Sequence, residues 1–437
     1  MAPVHDLWPL ALMRERAGQA PPSVEVVRPS THEEVAAALR SGRRVVPMGG
    51  ASGVCGALAP DTGDLVLDLG ALDRVEIDEA NLLVRAGAGV NGLALERRLN
   101  ERGLTLGHFP SSLPVTTVGG LVSTRSSGQE STRHGSIEDM LLGATVALDD
   151  GTVVEARAGH PRTAAGPPLH LLFVGAEGAL GVVLEAVLRV RRRPEATVGR
   201  GWRLPDVRSG LDVLREAMQR DLRPLVLRLY DPADSAFQGL PDGGCLLVGA
   251  TAGQRAVAEA EAAVLADVTA AAGGEPLGEA PWERWLAHRF DLSADRLRDF
   301  LRPPGAFLDT IELAATWTVL PALYEEARDH LADAGMALCH FSHAYAHGCC
   351  AYFTFAGSAP DEAAAESAYL RAWAGVMEIT LRHGATISHH HGVGQLRAPW
   401  IAAELGGWAE VWSRVRMALD PAAGLNPNGM GGLSRPR

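Results

Sequence analysis

Residues 387–397 read ISHHHGVGQLR, so that His389, His390 and His391 stand side by side and Gly392 follows at once. Imidazole changes charge near neutral pH, which suits acid–base catalysis and, in its neutral form, metal ligation; a solvated loop is the plain alternative. Successive residues of an extended chain point to opposite faces, so His389 and His391 are expected to share a face and His390 to lie opposite. Three ligands from this run alone would then meet one metal poorly. The segment HFSHAYAHG offers His340, His343 and His347 as further ligands. Their spacing suits one helix face, yet Phe341, Tyr345 and the β-prone CCAYFTF that follows argue against a helix. No metal site is expected.

A second set of residues could hold a phosphate. VVPMGGASGVCG follows a strand-like run, with glycine at positions 50, 53 and 56. This is not the G-x-G-x-x-G of a Rossmann turn, and the next segment, DLVLDLG, reads as a strand, so the helix terminus of that fold is missing. A loop of small residues can still turn successive backbone N–H groups toward one point and cradle a pyrophosphate; a tight turn between strands is the alternative. PSSLPVTTVGGLVSTRSSG, which contains Gly119 and Gly120, and GAEGALGVV around Glu177 offer more hydroxyls and backbone donors with little bulk. Such stretches, repeated within one βα-rich block, point to a large phosphate-bearing cofactor lying across it.

The elements that must carry these residues fall into two blocks. From about residue 24 to 197, VEVVRP, RRVVPM, DLVLDLG, LLVRAGAGV, ATVALDDGTVVEARA and VVLEAVLRVRRRP read as strands or hairpins, and STHEEVAAALRSG as a capped helix. From about 198 to 395, the helix DVRSGLDVLREAMQRD precedes the strand PLVLRLYD. GQRAVAEAEAAVLADVTAAAGG, PALYEEARDHLADAG and DEAAAESAYLRAWAGVMEITLRHG are further helices, and CCAYFTFAG is a strand. The helices are alanine-rich, but their irregular spacing rules out a repeat array. With 437 residues, 47% of them hydrophobic, the chain can bury large cores. Its net charge of −12 argues against nucleic acid or anionic membranes as partners. No apolar run reaches the roughly 18 residues that span a bilayer, and the charged start of the chain is a poor signal peptide. The five cysteines include no C-x-x-C pair, so neither a disulfide framework nor a zinc site is expected, and a reducing cytoplasm is the default. All 40 basic residues are arginine, which excludes a P-loop and a pyridoxal-phosphate lysine.

The order of these motifs resembles the FAD-binding proteins of the vanillyl-alcohol oxidase superfamily, and within it looks most like the alkyldihydroxyacetonephosphate synthases (alkylglycerone-phosphate synthases) and their bacterial relatives. The resemblance runs from about Val24 over nearly the whole chain. It rests on GHFPSSLPVTTVGGLVSTRSSG, HGSIEDM, VGAEGALGVVLEA, LRLYD, LRD, CCAYFTF and SHHHGVGQLR. It implies an α+β fold: a two-subdomain FAD-binding module (residues 1–197), an α/β cap domain with an antiparallel sheet (198–395), and a C-terminal segment (396–437) returning to the first. It implies that FAD is held by Pro47, Met48, Gly49, Gly50, Ala51, Ser52, Gly53 and Val54 around the pyrophosphate. Ser111, Ser112, Thr116, Thr117, Gly119, Gly120, Thr124, Arg125, Ser126 and Ser127 would line flavin and phosphates, and Glu177, Gly178, Gly181, Val182 and Val183 would complete the site. The family's G-G-G-T-S is here Gly49, Gly50, Ala51, Ser52 and Gly53, and an acidic residue common at the Ser111 position is missing. The first loop has no histidine for covalent linkage, so noncovalent FAD is expected despite the nearby Cys55.

By the same resemblance Tyr352 is the catalytic tyrosine, and His389, His390 and His391 sit beside the reactive face of the flavin. Arg298 and Arg228 are substrate-binding arginines, able to grip a phosphate or carboxylate through paired N–H groups. A phenol titrating near 10 needs help to act as a base, which imidazoles or arginine nearby could give. The implied reaction activates a C–H bond next to oxygen through flavin N5, with acyl-to-alkyl exchange giving an ether. The synthases carry a longer stretch between the segments matching LRLYD and GGEPLGE than this chain does. An FAD-linked oxidase or dehydrogenase of a small hydroxy acid, alcohol or specialised metabolite is therefore the rival reading. The partners expected are a small or lipid-like substrate and, at most, a second copy of the chain in a homodimer.

Overall fold

The computed structural model describes residues 4–156, 160–240, 243–291 and 294–433. Arg157 and Ala158, at the end of ATVALDDGTVVEARA, lie outside them. The chain forms two compact units. The first comprises Met1–Ser127, Ser136–Arg192 and His390–Arg437, the second Gly128–Gly135 and Arg193–His389. Among the described residues no helix is long and apolar enough to cross a membrane.

The first unit holds a three-stranded and a five-stranded sheet, besides a two-stranded pairing of Leu104–Thr105 with Arg191–Arg192. Strands Glu25–Val27, Leu65–Asp68 and Val45–Met48 are parallel, with Leu65–Asp68 in the middle. Its flanks are a helix, His32–Leu39, whose N-cap Thr31 accepts from the Glu34 N–H, and an apolar layer including Val35, Leu39, Val45 and Leu67. The second sheet is antiparallel, in the order Val75–Asp78, Leu83–Gly87, Val182–Arg189, Leu141–Ala147 and Val153–Val154. Val182–Arg189 is central and buried on both faces, so it reads as a continuous apolar run without alternation.

The second unit is one seven-stranded antiparallel sheet. Its order is Glu275–Gly278, Ala196–Leu204, Cys245–Gly253, Val226–Tyr230, Met336–Tyr345, Gly348–Ser358 and Ala306–Thr316. Period-two alternation gives its right-hand half two different faces. Cys339, Phe341, Phe353 and Phe355 are fully buried, and Tyr324 of helix Leu320–Ala332 packs on Phe341 and Phe353 with ring centroids 5.3 and 6.2 Å apart. Asp309 on this apolar side accepts from Tyr369 Oη at 2.6 Å and Trp373 Nε1 at 3.1 Å, both from helix Glu362–Arg382. The alternate residues, Arg228, Tyr230, His340, Glu312 and Tyr352, share the other face, with His340 directly across from Tyr352 and Tyr352 across from Glu312.

The histidine segment 340–347 is thus mainly strand, not helix. Pairing with Gly348–Ser358 is regular except between Ser342 and Tyr345, where the register shifts. His343 sits in that bulge with φ +52°, a left-handed conformation that a non-glycine residue adopts at a cost of about 1 kcal/mol or more. All five cysteines, Cys55, Cys245, Cys339, Cys349 and Cys350, are reduced and buried.

Candidate functional site

In the first unit, strand Val45–Met48 ends in the glycine loop. A Cβ on Gly50 would lie 2.0 Å from the Val115 carbonyl oxygen, and one on Gly49 would lie 2.3 Å from Thr117 Oγ1. Both glycines are therefore demanded by close packing of two loops. Ala51 takes φ +50°, a left-handed conformation that favours glycine. No hydrogen bond among the described residues uses the backbone N–H groups of Gly49, Gly50, Ala51, Ser52, Gly53 or Val54, all partly buried. Backbone donors left without partners are rare, and a run of them in a turning loop makes an anion-binding nest. This cradle fits the pyrophosphate of FAD.

Gly53 answers to a different neighbour. A Cβ there would meet Asp6 Oδ2 at 2.9 Å, and the same oxygen accepts from Gly56 N–H at 3.0 Å and Ala57 N–H at 3.1 Å. Asp6 is buried, and burial pushes its carboxyl up to about 6, against the lowering effect of these backbone donors. Glu177 is likewise an organiser. Its carboxylate accepts from Val393 N–H at 2.6 Å, from Gly394 N–H at 3.1 Å and from Met430 N–H at 2.7 Å. Burial raises its pKa despite those donors. Gly392, φ +86°, is glycine because a Cβ would lie 2.4 Å from Glu177 Oε1. Asn426 completes the clasp by donating to the carbonyls of Glu177 at 2.6 Å and Ala57 at 3.0 Å.

Several residues expected at the cofactor have other engagements. Val182 and Val183 are core side chains, and a Cβ on Gly181 would meet Val146 and Phe173. Gly178 backs onto Pro47, and Met48 packs among Val46 and Val66. Arg125 is exposed and paired with Glu138 at 2.8 Å. The Thr124 hydroxyl donates to the Gly120 carbonyl, and Ser127 pairs with Ser136. Thr117 caps helix Val118–Ser123 by accepting from Gly120 N–H at 3.3 Å, and Gly119 packs on Ala88. Ser112 accepts backbone N–H groups of Val115 and Thr116 through its carbonyl, forming a turn beside the exposed Ser111. Sequence reasoning missed His108, buried with Nε2 3.2 Å from Ser126 Oγ and Nδ1 without a partner among the described residues. Burial pushes its pKa down to about 4, so its ring is neutral.

The polar face of the second unit gathers Arg228, His340 and Tyr352. Arg228 Nη2 donates to His340 Nε2 at 2.7 Å, and His340 Nδ1 faces Asp234 Oδ2 at 3.4 Å. Tyr352 stacks on His340, centroids 4.6 Å apart and planes 17° apart. Burial, reinforced by Arg228, pushes His340 down to about 4. Burial also carries the Tyr352 phenol above its ordinary range; Arg228 opposes this and Glu312 adds to it. Arg228 thus eases its ionisation in the expected sense, but burial outweighs it. Arg298 is exposed on helix Ala294–Phe300, and among the described residues it makes no bond or ring contact with Arg228 or Tyr352.

The triple histidine is not an extended strand; it bends, and alternation fails with it. His389 belongs to the second unit, where its Nε2 meets Tyr345 Oη at 2.8 Å and its ring lies 4.8 Å from that of His343. His343 Nδ1 in turn meets Ser131 Oγ at 2.5 Å. His390 and His391 belong to the first unit and pack edge to face at 4.5 Å. Adjacent His390 and His391 thus pack on each other, which an alternating extended run does not bring about. Ser388 Oγ anchors the run by donating to Glu312 Oε1 at 3.0 Å.

Comparison with known proteins agrees with both halves. The family described as FAD binding domain matches residues 24–157, and that described as FAD linked oxidases, C-terminal domain, matches residues 193–429. Alkyldihydroxyacetonephosphate synthase of Dictyostelium discoideum is 29% identical, over 95% of this chain and 74% of that protein. The uncharacterized FAD-linked oxidoreductase YgcU of Escherichia coli (strain K12) is 32% identical, over 87% of this chain and 82% of its own. A solved alkyldihydroxyacetonephosphate synthase structure superposes with a TM-score of 0.81 at 25% identity, covering 97% of this chain and 80% of that one. The glycine-loop cradle, the antiparallel sheet with its polar face and these matches lead to one conclusion: the chain belongs to the FAD-linked oxidase family, has the vanillyl-alcohol-oxidase-type fold and uses FAD.

Proposed function

We propose that the protein activates a C–H bond next to oxygen on a small anionic or lipid-like substrate, in the manner of alkylglycerone-phosphate synthase, exchanging an acyl for an alkyl group to give an ether. The observation that carries this reading is the joining of Arg228, His340 and Tyr352 on one sheet face, in a chain similar to the synthase over 95% of its length. FAD, when bound, would supply an electron-pair acceptor at flavin N5, one that ends unreduced in the net non-redox exchange and ends reduced in an oxidation. The N–H groups of residues 49–54 hold its pyrophosphate, noncovalently, since Cys55 is buried and accepts from Arg397 Nη1 at 2.8 Å. Arg228 binds an anionic group of the substrate. Tyr352, protonated at rest, gives and retakes the proton at its Oη. The second reading, oxidation of a small hydroxy acid or alcohol, is supported by the short path from Tyr230 to Glu275. Among the described residues that path holds only the short helix Pro232–Phe237, strand Cys245–Gly253 and helix Arg255–Ala271.

Anaerobic mixing of FAD-loaded protein with candidate substrates, followed by product analysis, separates the two. An ether with release of the fatty acid supports the exchange, and a ketone or oxo acid with flavin bleaching supports the oxidase. Metal analysis of active protein should find no stoichiometric zinc, iron or copper. A metal lost together with activity in histidine-to-alanine variants overturns both.

A further inference from the structure

We propose that Asp234 and His340 are positioning residues for Arg228: the carboxylate fixes the imidazole tautomer, and the imidazole holds the guanidinium so that its remaining N–H groups present one fixed edge to a substrate carboxylate or phosphate. The inference rests on the functional reading above only for the substrate; the relay itself stands on geometry.

Arginine can only donate, so the 2.7 Å contact makes His340 Nε2 the acceptor. The ring proton of the neutral imidazole is then on Nδ1, the nitrogen that faces Asp234 Oδ2 at 3.4 Å. Asp234 is itself held. Helix Pro232–Phe237 places it, its backbone N–H donates to Asp231 at 2.8 Å, and Gln238 Nε2 donates to its Oδ1 at 3.1 Å. Asp234 and His340 are 5% and 7% exposed, so water does not compete for either contact. Tyr352 stacked on one side of the imidazole, and Tyr230 tilted against it at 5.8 Å, restrict its rotation. Arg228 also lies 5.3 Å from the Tyr230 ring centroid. Among its remaining donors, Nε is buried and without an acceptor among the described residues. A buried charged donor of this kind is costly unless something accepts from it, and the acceptor that suits a guanidinium edge is an oxyanion. Loss of the tautomer lock would let a second N–H turn toward Arg228 and push the edge out of place.

Two measurements on FAD-loaded protein test this. In 15N NMR of histidine- and arginine-labelled protein at pH 7, His340 should show protonated Nδ1 and bare Nε2. Asp234→Asn should mix or invert that tautomer. His340→Leu should broaden or shift the Arg228 Nε signal, and His340→Gln, whose amide oxygen can still accept, should restore it. In kinetics, Asp234→Asn and His340→Leu should raise KM for an anionic substrate by roughly 10- to 100-fold, more than they lower kcat, with recovery in His340→Gln. Glycolate and an acyl ester of dihydroxyacetone phosphate are the two probes, and the one showing the KM effect identifies the anion. If the wild type acts on neither probe, the functional reading fails while the NMR arm still decides the relay. An Nε2-protonated His340 in the wild type, or Arg228 signals indifferent to His340→Leu, overturns the proposal.

Discussion

At the scale of single residues, side chains in this protein do their work by being constrained. Tyr352 is held on a β-face by stacking on His340, and burial keeps its phenol protonated. Its removal should therefore cost chemistry and not folding. Tyr352→Phe is expected to keep FAD and its melting temperature but to lose turnover by roughly 100-fold or more, the size of effect typical of a lost acid–base group. Stopped-flow flavin reduction measures it, and wild-type rates would remove Tyr352 from the reaction. Ala51 makes the opposite case. Its φ of +50° is a left-handed conformation that a Cβ disfavours. Ala51→Gly should stabilise the protein by about 0.5–1 kcal/mol, the strain relief exceeding the entropy that glycine loses on folding. Chemical denaturation checks this; a destabilised variant would mean that the loop derives more from the methyl group than from a relaxed backbone.

At the scale of elements, the loops of the first unit are tied by buried carboxylates. Asp6 links the start of the chain to residues 56 and 57, and its pKa of about 6 lies above the ordinary 3.8. The folded state thus holds a proton that the unfolded chain releases. The resulting stability is fully present below about pH 3.8, fades as pH rises through about 6 and is gone above it, an effect of about 3 kcal/mol for some two pH units. Unfolding free energies of wild type and Asp6→Ala, compared from pH 4 to 7, should converge by an amount of that order in the direction of higher pH. A constant difference would show that Asp6 does not titrate there. The elements themselves were readable from the chain. His32–Leu39, Val207–Gln219, Arg255–Ala271 and Glu362–Arg382 follow 3.6-residue periodicity and caps, and Val226–Tyr230 and Gly348–Ser358 follow β-propensity. What stayed hidden has a common physical cause, the dependence on contacts distant in sequence. The β-prone residues around the i, i+3, i+7 histidines already spoke against a helix, but the bulge at His343 depends on how Met336–Tyr345 pairs with Gly348–Ser358. Gly53 and Gly392 stand where a Cβ would collide with Asp6 and Glu177, partners that lie far away along the chain. The chain bends at 389–391, where an extended run was expected, and His390 packs on its neighbour His391.

At the scale of the whole molecule, chemistry is divided between two units, a nest of N–H donors in one and a polar β-face in the other. The division has a practical side, since the buried thiols are divided too: Cys55 lies in the first unit and Cys245, Cys339, Cys349 and Cys350 in the second. Burial pushes Cys245 up to about 12 and raises Cys339, Cys349 and Cys350 as well, so none offers a reactive thiolate while its surroundings stay closed. Alkylation of each thiol is then a clock for the opening of its own surroundings. Iodoacetamide labelling read by mass spectrometry should show Cys55 slowed by added FAD, by roughly 100-fold at a hundred times the dissociation constant if opening of the glycine loop and release of the cofactor are one event. A Cys55 rate independent of FAD would show that the loop breathes around its bound cofactor, and the native cysteines would report it without an introduced probe.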